Sequence, residues 1–136
     1  GVRVGGRVGA HYLPHASAPG KVLAAYGDDG LRSRIVKRGF QALTPKTNTS
    51  PKRFLAEMAE IRKQGYAVDA EGYLLGGLCF AAPVYDTDGK VVAAIGTSVL
   101  TINYTLQAVR EKLGPQILRT ARRISTVLGY TGSKTK

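Results

Sequence analysis

The apolar positions first recur at helical spacing in three short segments, and they then run together as strands. Ser17 or Ala18 is suited to cap the first helix, with Pro19 at its first position. Ser50 and Pro51 repeat this arrangement at the third helix. The pattern therefore predicts helices over residues 19–26, 28–38 and 51–64.

The central part of the chain, residues 65–98, has the pattern of a sheet. A short strand over residues 66–69 precedes two apolar strands, 78–85 and 90–99, joined by a turn at Asp88 and Gly89. Residues 2–8 alternate apolar and polar side chains and predict a further strand. A terminal helix is predicted over residues 103–128, with a break or kink at Gly114 and Pro115. This order indicates an α+β fold in which helices flank an antiparallel sheet.

Composition excludes several classes of protein. The chain has 136 residues, of which 43% are hydrophobic and 21% charged, and this suits one compact domain. One cysteine cannot form an internal disulfide, and no apolar run is long enough to span a bilayer. We therefore expect a cytoplasmic protein without a membrane partner. The two histidines and the cysteine lack metal-ligand spacing, and there is no phosphate-binding glycine motif, so no cofactor is expected.

The net charge of +11 is typical of proteins that bind nucleic acids. However, the basic residues are spread along the chain, and aromatic residues do not alternate with them as a base-stacking surface requires. A solvated basic surface is therefore the better interpretation, and it would still favour anionic partners.

The few polar side chains in the predicted strands are candidates for a buried pocket. They are Asp69, Cys79, Thr97 and Ser98. Each has a simpler explanation, because an aspartate often holds a turn, a cysteine packs as a small hydrophobe and a serine bonds within its sheet. A nucleophilic triad of Cys79, His15 and Asp69 can be written, but no local motif supports it.

Five stretches follow one another in an order that is specific as a set. They read LPHASAPGKVLAAY, LTPKTNTSP, IRKQGYAVDAE, GLCFAAPVYDTDGKVVAAIGTSV and ARRISTVLG. In these stretches the chain resembles the C-terminal effector-binding domain of bacterial transcriptional regulators of the isocitrate-lyase-regulator (IclR) type. The resemblance implies a GAF- or profilin-like α+β domain that lacks its first helix and strands. It covers residues 1–130, and residues 131–136 form a polar tail.

The resemblance also implies a ligand pocket. The matching positions lie at the start of the first helix, at two central positions and on the last strand: Ala18, Pro19, Gly20, Asp69, Cys79, Gly96 and Ser98. Some members have a serine at the position of Gly96. The helix start often reads Gly-Ala or Thr-Ala in the family, whereas proline here removes a backbone donor. A missing side chain at Gly96 predicts room for a bulkier, aromatic acid.

The implied function is non-enzymatic sensing of a small organic or aromatic acid. Ligand binding would shift the affinity for operator DNA, which an N-terminal winged helix-turn-helix absent from this chain would bind. The family resemblance also implies a homodimer or tetramer. Three alternatives remain open: an enzyme that uses Cys79, a nucleic-acid-binding module, and an oligomerisation module without a ligand.

Overall fold

A three-stranded antiparallel sheet lies between two groups of helices in the computed structural model, which describes residues 6–132. The elements are α1 (Ala18–Tyr26), α2 (Asp29–Arg38), α3 (Pro51–Gln64), β1 (Ala67–Ala70), β2 (Gly77–Tyr85), β3 (Val91–Leu100), α4 (Leu106–Ala108), a π-helical turn (Val109–Leu113) and α5 (Gly114–Val127). The strand order is β1-β2-β3. The predicted α+β class is confirmed.

Side-chain caps determine where the first three helices begin. Ser17, Asp28 and Ser50 each occupy an N-cap and accept a hydrogen bond from an amide of the first helical turn. Gly65 ends α3 with a φ of 83°, a left-handed conformation that glycine adopts without strain. These signals are local in sequence, and for that reason the predicted bounds of the three helices agree closely with the structure.

The two faces of the sheet carry different helices. Ala67 and Ala81 belong to the core cluster that contains α1 and α3, whereas Phe80 belongs to the cluster of the π-helical turn and α5. Successive strand residues point to opposite faces, so neighbouring residues of β2 serve different layers. The α1 side of the core includes Ala18, Val22, Phe54, Met58 and Ile61. The central strand β2 is nearly all buried, whereas the edge strand β3 is half-buried or exposed along its length.

The predicted break in the terminal helix takes the form of a π-helical turn. The helix begins at Leu106, capped by Thr105, and it stays helical through Gly114. The Gly114 N–H bonds to the Val109 carbonyl, five residues earlier, instead of four. Pro115 has no N–H and would crowd an α-helical carbonyl before it, and the wider turn accommodates this.

The N-terminal strand prediction is wrong where the structure describes it. Residues 2–5 of the predicted strand lie outside the described residues, as do residues 133–136 of the predicted tail. Residues 6–8 are not in a strand, and the segment turns where the Ala10 N–H donates to the Arg7 carbonyl at 3.0 Å. In the described part of the chain, no strand runs beside this segment to stabilise an extended conformation.

Candidate functional site

Three of the predicted site residues lie side by side in one row across the sheet. Asp69 of β1 pairs with Cys79 of β2, and Cys79 pairs with Ser98 of β3. Directly paired residues share a face, and α1 packs on this face. Asp69 is buried there and Cys79 is half-buried, whereas Ser98 is exposed, so the expectation of a buried pocket is wrong at Ser98. The Cys79 Sγ and Ser98 Oγ atoms are 3.0 Å apart, within hydrogen-bond distance. The row therefore places a carboxylate, a thiol and a hydroxyl next to one another.

Gly96 lies in the next row of the same face, opposite Ala81. A Cβ atom added to Gly96 would lie 2.7 Å from the Phe80 carbonyl oxygen and 3.2 Å from the Ala81 Cβ. The backbone of β2 therefore already fills the space of the missing side chain. The expectation that Gly96 leaves room for a bulkier acid is wrong for this reason.

Thr97 does not belong to this row. It pairs with Phe80, which packs on the opposite face against the terminal helical segment. The prediction that Thr97 joins the pocket is wrong, because side chains alternate along a strand and Thr97 precedes Ser98 by one residue.

The start of α1 lies over the same face as the row. Cys79 packs against the core cluster that contains Ala18. One helical turn further on, Lys21 Nζ lies 3.9 Å from Asp69 Oδ1. Ala18 is fully buried, whereas Pro19 is exposed. The structure thus places α1 on the same face as the polar row, with Lys21 as the residue of α1 that lies next to Asp69.

The N-terminus of α1 offers a ligand fewer amides than an uncapped helix does. Pro19 has no N–H, the Gly20 N–H donates to Ser17 Oγ at 3.2 Å, and the Lys21 N–H donates to the Ser17 carbonyl at 2.9 Å. Of these amides, Ala18 has the one N–H that no described hydrogen bond uses, although the residue itself is buried.

Gly20 makes room for the chain itself. A Cβ atom at this position would lie 2.6 Å from Ser17 Oγ and 2.8 Å from the Pro14 Cα atom. The absent side chain lets the loop before α1 fold closely onto the helix. Gly20 shapes the site through this packing and is not needed for a ligand to approach the backbone.

Asp69 holds the turn that follows β1. Its carboxylate accepts hydrogen bonds from the Gly72 amide at 3.1 Å and the Tyr73 amide at 2.9 Å. Burial raises the pKa of Asp69 above its usual value, although these two amides and the nearby Lys21 ammonium oppose the rise. Both carboxylate oxygens are therefore occupied by the protein, as in an ordinary turn aspartate.

Two tyrosines near the row were missed by the sequence analysis. The rings of Tyr12 and Tyr73 are 5.6 Å apart, and Asp69 holds the backbone of Tyr73 in place. Burial raises the pKa of Tyr73, with smaller contributions from the neighbouring Tyr12 and Cys79. Tyr73 thus lies close enough to the thiol for an electrostatic interaction, and Tyr12 packs against Tyr73. Tyr12 and Tyr73 are far apart in sequence, and no spacing signal relates them.

The nucleophilic triad is not assembled. The His15 Nε2–H donates to the Gln41 carbonyl at 2.8 Å, and the ring packs edge-on against Phe40. Burial raises the pKa of the Cys79 thiol, although the hydrogen bond with Ser98 partly opposes this rise. The thiol is therefore protonated at neutral pH, and a protonated thiol is a poor nucleophile.

Comparison with known proteins gives the family. Residues 1–126 match the family model described as bacterial transcriptional regulator IclR C-terminal. The HTH-type transcriptional repressor AllR of Escherichia coli (strain K12) is 36% identical over 129 residues, which are 94% of this chain and 47% of the repressor. The C-terminal domain of E. coli KdgR superposes with a TM-score of 0.74 at 33% identity, covering 86% of this chain and 71% of that one.

A further solved structure is an inducer-binding domain. It is a double mutant of the PobR transcription factor from Acinetobacter in complex with 3-hydroxybenzoic acid. The TM-score is 0.79 at 27% identity, covering 84% of this chain and 66% of that one.

The helix-flanked sheet, with its polar row under α1, is thus the fold of a regulator's C-terminal domain. The chain belongs to the IclR family of bacterial transcriptional regulators. Its homologues are transcriptional regulators, not enzymes. The chain spans about half the length of the curated relatives it matches. Within residues 6–132, no helix has the length and apolar character needed to cross a membrane.

Proposed function

We propose that this chain is the ligand-sensing domain of a transcriptional regulator and binds a small organic or aromatic acid between α1 and the sheet. The observation that supports the proposal is the row formed by Asp69, Cys79 and Ser98 on the face of the sheet against which α1 packs. The proposed site comprises the residues that the resemblance implied: Ala18, Pro19, Gly20, Asp69, Cys79, Gly96 and Ser98. The proposed domain spans residues 1–130, followed by a polar tail.

The hydrogen-bond donors of the site suit a carboxylate. Cys79 Sγ and Ser98 Oγ lie 3.0 Å apart, and either atom can donate to the other. With a ligand bound, the thiol would donate to Ser98 Oγ, and the Ser98 O–H would then donate to a ligand oxygen. The Ala18 N–H, at the positive end of α1, is the second donor. A ring or short chain attached to the carboxylate would pack against Tyr73 and Tyr12.

The remaining residues position this arrangement. Asp69 fixes the turn that carries Tyr73, and Gly20 lets the loop before α1 pack onto the helix. Gly96 keeps β3 close to β2. An acid bound here would favour one of two arrangements of the domain, because a ligand shifts an equilibrium by its difference in affinity for the two states.

In the whole regulator, we propose that this shift changes the affinity of an N-terminal winged helix-turn-helix for operator DNA. The assembly would be a cytoplasmic homodimer or tetramer. Exposed apolar side chains at the end of α5 support an oligomer contact, with Val127 86% and Leu128 45% exposed. An oligomerisation module that binds no ligand is therefore the second candidate function.

A thermal-shift screen tests the sensing proposal. Pyruvate and 3-hydroxybenzoate serve as aliphatic and aromatic probes, with 3-hydroxybenzamide as the uncharged match of the second. A ligand at 100 times its Kd stabilises the folded state by about 2.7 kcal/mol. We expect at least one acid to raise the Tm and the amide to have little effect.

Two neighbouring substitutions locate the binding. Ser98→Ala removes the proposed hydroxyl donor, whereas Thr97→Ala makes a similar change on the opposite face of the same strand. We expect Ser98→Ala to lose most of the shift and Thr97→Ala to keep it. If no acid raises the Tm of the folded protein at millimolar concentration, the proposed site is wrong. It is also wrong if Ser98→Ala and Thr97→Ala lose the Tm shift equally. The oligomerisation module would then be favoured.

A further inference from the structure

A second cavity lies at the outer edge of β1, and we propose that it binds a small dicarboxylate. Its volume is about 320 Å³, and it is lined by α1, α3, the loop before α3, β1 and the helical segment after β3. Asp69 contributes to its wall, whereas Ala18, Cys79 and Ser98 do not. It is thus a different site from the one proposed above, and the inference goes beyond that function.

Two arginines face this cavity without a carboxylate partner. Arg53 comes from α3 and Arg110 from the π-helical turn. The ion pairs of the described residues include neither guanidinium. A guanidinium binds a carboxylate in a planar, two-point geometry, and this makes arginine the residue best suited to such a ligand.

The two lysines of the cavity are already neutralised. Lys21 Nζ donates to Glu57 Oε1 at 2.8 Å, and Lys46 forms an ion pair with Glu71. Lys21 Nζ also lies 3.9 Å from Asp69 Oδ1, so both carboxylates of the cavity wall lie against Lys21. The two arginines come from different elements and are solvent-exposed, and no ion pair of the described residues includes them. A ligand with one carboxylate would satisfy one of them, whereas a ligand with a carboxylate at each end would satisfy both.

Part of the cavity wall suits a short carbon chain. Val68 and Leu106 provide apolar surface, and Ala70 adds a small side chain. Hydrogen-bonding groups also line the cavity, among them Asn48 and the buried His15. A small dicarboxylate such as succinate suits a cavity that has two guanidiniums and a mixed wall, within the volume typical of small-molecule sites.

Lys21 connects three elements of the cavity wall. It is buried, and its Nζ also lies 3.4 Å from the Val68 carbonyl oxygen. Lys21 thus joins α1, α3 and β1. A preformed wall reduces the ordering that a ligand must impose when it binds.

Isothermal titration of the 136-residue chain with succinate, at fixed physiological ionic strength, tests the proposal. Butyrate is the matched probe, since it has the same carbon number and one carboxylate. We expect succinate to bind and butyrate to bind at least about tenfold more weakly, the effect of losing one charge-assisted contact. Equal binding of the two acids, or no succinate binding at millimolar concentration, would overturn the proposal.

Arginine substitutions distinguish the cavity from the basic surface in general. Arg53→Gln and Arg110→Gln should each weaken succinate binding roughly 10- to 100-fold. Lys52→Gln and Arg119→Gln remove the same charge at exposed positions that do not line the cavity, and they should change the affinity little. If the control variants weaken binding as much as the cavity variants do, succinate is responding only to net charge, and the proposal fails.

Two further binding measurements distinguish this site from other anion sites. Ser98→Ala should leave succinate binding unchanged, because Ser98 does not line the cavity. Loss of binding in that variant would assign succinate to the α1 site instead and contradict the second site. Inorganic phosphate should bind more weakly than succinate. Phosphate binding of equal strength would identify a simple anion site and overturn the assignment to a dicarboxylate.

Discussion

Replacing Gly20 by alanine tests how closely the loop before α1 packs onto the helix. Alanine in a helix is favoured over glycine by about 1 kcal/mol, so propensity alone predicts stabilisation. The structure predicts the opposite, because the new Cβ atom would lie 2.8 Å from the Pro14 Cα atom and 2.6 Å from Ser17 Oγ. The contact with Pro14 Cα involves the backbone, which cannot rotate away from the new methyl group as a side chain can.

The expected loss of stability in Gly20→Ala is the sum of three contributions to the free energy of unfolding. Overpacking typically costs about 1–3 kcal/mol, and disturbing the Ser17 cap costs about 0.5–2 kcal/mol more. Subtracting the propensity gain of about 1 kcal/mol leaves a destabilisation of about 0.5–4 kcal/mol, centred near 2 kcal/mol. For a domain of this length, a loss of about 2 kcal/mol lowers the Tm by roughly 6–8 °C.

Gly30→Ala is the matched control. Gly30 also lies in the first turn of a helix, but its added Cβ atom would lie 3.3 Å from Arg34 Nη1 and 3.3 Å from Asp28 Oδ1, at the ends of side chains. We expect this variant to be unchanged or stabilised by up to about 1 kcal/mol. Urea unfolding followed by circular dichroism measures the free energy of unfolding of both variants. If Gly20→Ala proves as stable as Gly30→Ala, the reasoning about the loop contact is refuted.

Three further predictions concern the other helix layer and the polar row. Gly114→Ala should lower stability by about 1–3 kcal/mol in urea unfolding, because its Cβ atom would lie 2.8 Å from the ring of the buried Phe80. Because burial raises the folded-state pKa of Asp69 above 3.8, its contribution to stability is complete below that pH and is lost as the pH rises through the folded pKa. The stability of the wild type relative to Asp69→Asn should therefore fall as the pH rises above 3.8, and a constant difference would contradict the raised pKa. Cys79 should react with iodoacetamide more slowly than a model thiol at neutral pH and accelerate only under alkaline conditions, because burial raises its pKa.

The parts of the fold that could be predicted are those with local causes. Ser17, Asp28 and Ser50 are caps whose partners lie three residues away, so sequence patterns alone locate the helix starts. The π-helical turn before Pro115 depends on how the terminal segment packs against the sheet, and the sequence indicated only that some irregularity would occur. The prediction that Thr97 joins the pocket was a different kind of error, because the alternation of side chains along a strand already places Thr97 on the opposite face from Ser98.

The site was predictable only in part. The family resemblance, together with hairpin pairing, pointed to the row that contains Asp69, Cys79 and Ser98. The pairing of Tyr12 with Tyr73 arises from tertiary packing between distant segments, and no periodicity encodes it. The role of Gly96 was misjudged because the space left by an absent side chain depends on the approach of a neighbouring strand.

The measurement that tests the central claim most directly is a titration of isotope-labelled chain with pyruvate and with 3-hydroxybenzoate, followed through its backbone amide resonances. If an acid binds between α1 and the sheet, the amides of Ala18, Cys79 and Ser98 should shift saturably with one common Kd. The amide of Arg110, which lines the other cavity, should change little. Saturable shifts confined to Arg110 and its neighbours, or no saturable shift at the polar row with either acid, would contradict the account.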